Sequence, residues 1–143
     1  MSNDIKNVSA VYVWVTSSKI DSRKATDLIG LPTRKLFIKR PEIIWWWESK
    51  WRHDDDVSPS LEQFLSKDFP KMKKGLQLLS KKYGAKVELD WVLGLGNDKD
   101  HGTWPVIELL PETIAKLRET GFILQISIDD QISAEQLGIN ATK

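Results

Sequence analysis

The chain has two histidines, His53 and His101, and each stands among acids: His53-Asp54-Asp55-Asp56 in one stretch, Asn97-Asp98-Lys99-Asp100-His101-Gly102 in the other. Imidazole and carboxylate oxygen are a donor set that divalent metals accept. If the two stretches met, His53, Asp54 and His101 would form the start of a metal or small-ligand site. Taken separately they read as solvated loops rich in turn-forming residues. A calcium loop does not fit. Its glycine would fall at the wrong place, and the position that needs a bidentate glutamate, eleven beyond Asp98, holds Leu109.

Other chemistries fare no better. Gly94-Leu95-Gly96 would need a third glycine where Lys99 stands and a helix directly after it, so neither a dinucleotide fingerprint nor a phosphate-binding loop is present. No Gly-x-Ser-x-Gly elbow occurs, and no spacing rule pairs a serine with either histidine. With no cysteine in the chain, disulfides, thiolate metal sites and thiol nucleophiles are excluded. Residues Lys67–Lys86 hold seven lysines against one acid, Asp68. That run suits phosphate contacts, giving nucleic-acid binding as one alternative. It lacks arginine, and its aromatics Phe69 and Tyr83 have helix-packing spacing, so a solvated helix face explains it as well. No cofactor is implied.

The residue class that stands out is tryptophan, seven in 143 residues. Three are consecutive in Ile43-Ile44-Trp45-Trp46-Trp47-Glu48. Side chains alternate along a strand, so Ile43, Trp45 and Trp47 face one way while Ile44 and Trp46 face the other. In Ala10–Thr16, Val11, Val13 and Val15 share a face opposite Tyr12 and Trp14. If helices cover only the valine face and the two strands are neighbours, Tyr12, Trp14, Ile44 and Trp46 form an aromatic patch on the uncovered face. A patch of several hundred square ångströms marks a partner, a groove or a dimer face. Two alternatives oppose this: the C-terminal elements fold over that face and make it core, or a bulge breaks the alternation.

The elements that must position these residues follow from local pattern. Asp21 caps a helix that runs to Ile29 and ends at Gly30 and Pro32. Strands are expected over Lys35–Arg40, Ile43–Trp51, Lys86–Leu95, Val106–Leu109 and Phe122–Ile128. Ser58 or Ser60 caps a helix with Pro59 in its first turn, and Pro70 kinks or splits it, with Asp68 capping the second piece. Pro111–Thr120 is a further helix. The order predicts an α+β fold, a ferredoxin-like sheet extended by a C-terminal strand–helix–strand. One domain is expected over residues 1–143, with an ordered core of about residues 8–130 and short mobile tails. A net charge of +1, a polar start and no apolar run near the ~20 residues of a membrane span predict a cytoplasmic protein without a membrane partner.

Several of these stretches resemble a bacterial domain of unknown function, family 4279. They are Tyr12–Val15, Ile20-Asp21, Leu28-Ile29-Gly30-Leu31-Pro32, Trp46-Trp47-Glu48-Ser49, Leu61–Leu65 and Gly121–Asp129, which together reach across most of residues 10–129. Where such sequences often carry a glycine after the Leu-x-Pro turn, Arg34-Lys35 stand here. The resemblance implies no catalytic residue. By analogy it points to accessory binders, including immunity-type proteins that neutralise a toxin. The expectation is a non-enzymatic module that binds a protein partner or a second copy of itself. The near-zero net charge counts against a strongly basic target, for which an acidic inhibitor would be expected.

Overall fold

Alternating valines make the first strand, and the rest of the sheet is laid against it. In the computed structural model, which describes residues 7–33, 42–53, 56–95 and 107–129, β1 spans Val8–Thr16. β2 (Ile43–Glu48) lies antiparallel on one side of β1 and β4 (Lys86–Gly94) antiparallel on the other. The two-residue β3 (Arg52–His53) pairs with the start of β1, and β5 (Ile123–Asp129) runs parallel to β4 at the far side, giving the order β2-β1-β4-β5.

A first strand held between antiparallel neighbours, then extended by a parallel strand, is the expected α+β ferredoxin-like arrangement. The expected strand Lys35–Arg40 and both tails lie outside the described residues. Two strands differ from expectation. β2 stops at Glu48, short of the expected end at Trp51. Residues 107–109 form no strand, because the Glu108 N–H donates to the Ser58 hydroxyl at 2.6 Å, which ties this segment to the start of a helix.

Helices cover one face. α1 (Ser22–Ile29) is capped by Asp21, whose carboxylate accepts the Lys24 N–H at 2.9 Å, and it ends at Gly30 with φ 82°. α2 (Ser58–Gln63) passes through a π-helical stretch, Phe64–Asp68, into α3 (Phe69–Tyr83). The π turn accounts for Pro70. A proline inside an α-helix costs about 3 kcal/mol. Here the Phe69 N–H reaches back to Phe64, one residue further than an α-helical bond, and α3 restarts with Pro70 in its first turn. Asp68 therefore stays helical and caps nothing. Neither Ser58 nor Ser60 caps α2. The Asp56 carboxylate accepts the Ser58 N–H, and the Ser60 hydroxyl bridges the Val57 carbonyl and the Trp91 indole N–H, both at 2.8 Å.

The core lies between this helical layer and the sheet. Val11, Val13 and Val15 meet Trp45, Leu89 and Trp91 on the sheet side and Leu61, Phe64, Met72, Leu76 and Leu79 on the helix side. α4 (Pro111–Thr120) adds Leu117 at the margin. No helix among the described residues is long and apolar enough to cross a membrane.

α1 and α3 approach closely at Gly75. A Cβ there would sit 2.5 Å from the Ile29 Cα and 2.5 Å from the Leu28 carbonyl oxygen, both backbone atoms of α1. In a helix, Gly→Ala ordinarily gains up to about 1 kcal/mol. The clash with backbone reverses that sign. Gly75→Ala is expected to destabilise the protein by about 2–3 kcal/mol, read as a lower urea midpoint at unchanged slope. A neutral or stabilising effect would show that α1 is not packed this closely.

Candidate functional site

The pairing register decides which residues share the face opposite the described helices. Across β1 and β2, Tyr12 stands opposite Glu48, Trp14 opposite Trp46, Val13 opposite Trp47 and Val15 opposite Trp45. Directly opposed residues point to the same side. Trp45 is fully buried in the core and Trp47 packs on Phe64, whereas Trp46 joins Tyr12 and Trp14 on the other face. The triplet is divided as the alternation predicts, and all three residues of the Tyr12–Trp14–Trp46 patch are half-buried.

Ile44 departs from the expected set. Thr16 pairs with Ile43 while Val15 pairs with Trp45, so Ile44 is the extra residue of a bulge. It turns into the core cluster. Ile43 takes its place on the aromatic side, where it lines a cleft of about 290 Å³ with Trp14, Thr16, Glu88, Asp90 and Gln125.

The rings form one cluster. Trp14 and Trp46 stack with centroids 5.4 Å apart and planes 15° from parallel. Tyr12 meets Trp14, Trp46 and Trp51 edge-on at 5.6, 5.9 and 5.9 Å. Trp51 lies beyond the end of β2; alternation through the expected strand Ile43–Trp51 would have put it on the side of Trp45 and Trp47, and it joins Tyr12 instead because the strand ends at Glu48. At the other end of this face Val8, Ala10 and Val92 are buried, so the accessible stretch is the half around the stack.

Trp46 is held from its outer side. Its N–H donates to the Thr33 hydroxyl at 3.0 Å, and that hydroxyl donates back to the Trp46 carbonyl at 3.4 Å. The neighbouring Trp45 indole N–H donates to the Leu31 carbonyl at 3.0 Å. The segment after α1 thus stands in for a pairing strand through one side chain. Past Glu48, Ser49 continues the pairing with β1: its N–H donates to the Val11 carbonyl at 2.9 Å, and its hydroxyl accepts the Val11 N–H at 2.8 Å. The indole N–H groups of Trp46 and Trp51 are buried without an acceptor, a cost of about 1–3 kcal/mol each.

Carboxylates border the rings. Glu48 lies opposite Tyr12 on β2, and Asp90 opposite Tyr12 and Glu88 opposite Trp14 on β4. Burial pushes the Tyr12 phenol well above the usual tyrosine range. The Glu48 charge and the bond it accepts from the phenol push it further, and Asp90 adds to this. Burial also raises the Asp90 carboxyl, against the Ser127 hydroxyl that donates to it at 2.8 Å. Lys86 is the cation of this face among the described residues, 3.6 Å from Glu88. The parity of β4 carried this acidic border, but only its pairing with β1 brings it beside the rings.

The remaining candidates do not converge. His53 is exposed in β3, Asp54 and His101 lie outside the described residues, and among the described residues no three His, Asp or Glu side chains gather to hold a metal ion. The lysines of the Lys67–Lys86 run are all exposed, those of α3 standing opposite its buried Phe69, Met72, Leu76 and Leu79. Lys82 lies 5.6 Å above the Tyr83 ring.

The Tyr12 phenol supplies a pH test. A group that stays protonated in the fold gives stability that is fully present below its unfolded pKa, about 10 for tyrosine, and is lost as pH rises beyond it. The parent is expected to lose stability more steeply than Tyr12→Phe as pH rises above about 10 in urea unfolding. Parallel curves would show that Tyr12 ionises freely in the fold. Compared with known proteins, the chain matches no protein-family model, no curated protein and no solved structure.

Proposed function

We propose that the protein is a non-enzymatic binding module that docks a basic segment of another protein on the uncovered face of its sheet. The observation that carries this reading is the half-buried Tyr12–Trp14–Trp46 cluster with Glu48, Glu88 and Asp90 at its border. Rigid aromatic side chains give large contact area at little entropic cost and are enriched where proteins bind one another. The face of an indole also attracts a cation, and Arg in particular stacks on it. A cleft of about 290 Å³ beside the stack, with two carboxylates in its wall, suits one inserted side chain better than a small-molecule substrate.

Local charge answers the objection raised by net charge. The chain is +1 overall, but α3, in the helical layer, carries five lysines and no acid, while Glu48, Glu88 and Asp90 lie with Lys86 on the opposite face of the sheet. Steering depends on the field at the docking face rather than on the total. An immunity-type role, in which a basic toxin segment is covered by this face, is the specific form of the proposal. It also accords with the resemblance to family 4279, which brings no catalytic residue.

Capture from bacterial lysate on immobilised protein tests it. Trp46→Ala, at a half-buried position, should keep the parent's circular dichroism and lower recovery of a specific partner at least about thirtyfold. Recovery by the parent should fall as salt rises. Equal recovery by parent and variant would remove the aromatic face as a binding site.

A further inference from the structure

A second surface, separate from the aromatic face, has the chemistry of a self-pairing edge. β5 closes the described sheet order, and among the described residues no strand pairs with its outer side. Sheet edges in soluble proteins are normally blunted by lysine, proline, a bulge or brevity, because unpaired N–H and C=O groups are a template for another strand. None of these guards is present in Ile123-Leu124-Gln125-Ile126-Ser127-Ile128-Asp129. The strand has seven residues, no proline or lysine, and an unbroken register with β4. Its isoleucines are exposed to an unusual degree, Ile123 at 77%, Ile126 at 43% and Ile128 at 57%.

The occupant this edge fits is a second copy of itself. Antiparallel pairing of two β5 strands about a two-fold axis through Ile126 brings Ile126 against Ile126, Leu124 against Ile128, Gln125 against Ser127, and Ile123 against Asp129. Apolar then meets apolar on the helix side, and Gln125 meets Ser127 on the other, as the alternation of a sheet requires. A register shifted by one residue would bring the helix side of one copy against the other side of its partner. A two-fold axis normal to the sheet also makes the contact self-limiting, since each copy has one such edge in the described sheet.

We infer that the protein forms a homodimer through antiparallel pairing of β5 strands, joining two sheets into one. Sedimentation of the full chain over a concentration series should show a monomer–dimer equilibrium. Ile126→Lys places two ammonium groups across the axis and should raise the dimer dissociation constant at least about tenfold. Ile128→Lys, at a more exposed site, should act in the same direction and serves as the second variant if the first proves less stable. Ile126→Cys supplies the chain's single thiol and should give an inter-chain disulfide under mild oxidation, because residue 126 faces its own copy. Trp46→Ala should leave self-association unchanged, which separates this result from partner docking on the aromatic face. A parent that stays monomeric to about 1 mM, or a dimer indifferent to both lysine variants, would overturn the inference.

Discussion

The pleat of β1 is the constraint on which the rest of the molecule depends. One strand presents valine at every second position on one side and tyrosine and tryptophan on the other, and its neighbours are locked to it in antiparallel register. Because opposed residues share a side, this register sorts the chain. Trp45, Leu89 and Trp91 go to the core with the valines, and Trp46, Glu48, Glu88 and Asp90 go to the opposite face with the rings. The described helices pack on the valine side. Burying a large apolar side chain is worth about 1.5–3 kcal/mol, so the valine side is the one that drives folding, while Tyr12, Trp14 and Trp46 on the other side are half-buried.

The helical layer can lie this close because of two local adjustments. Gly75 lets α1 and α3 approach until their backbones are almost in contact. The π-helical turn absorbs Pro70 without ending the long helix that supplies most of the helix-side core. Buried polar groups are matched in the same economical way. Ser60 serves the Trp91 indole and a backbone carbonyl together, and Ser49 extends β-type pairing beyond the last residue of β2. Each hydroxyl sits where an orphaned N–H would cost about 1–3 kcal/mol.

Charge is distributed by layer. Lysine stems shield the outside of α3, and carboxylates border the aromatic cluster on the far side of the sheet. A near-neutral total thus conceals two faces of opposite character. The sheet's two sides also end differently. At β2 the Thr33 hydroxyl occupies the hydrogen-bonding positions of Trp46, while β5 carries neither a guard nor a pairing partner among the described residues.

Much of this was legible in the sequence because it is local. Alternation in residues 10–16 and 86–94, the Asp21 cap, the Gly30 stop and the division of the three indoles all follow from the geometry of a single strand or helix end. Proline chemistry likewise foretold a break near Pro70, though not that a π turn would take it up and leave the Asp68 side chain capping nothing. What the tertiary structure decided is what depends on pairing between distant segments. The bulge that exchanges Ile44 for Ile43 exists only in the register of β2 on β1, and residues 107–109 lose their strand to a hydrogen bond from fifty residues away. Trp51 enters the aromatic cluster, and Glu88 and Asp90 reach its border, only when strands from opposite ends of the chain lie side by side. Pattern fixes which way a side chain points within its own element; which neighbours it then meets is set by register, and register is a property of two segments at once.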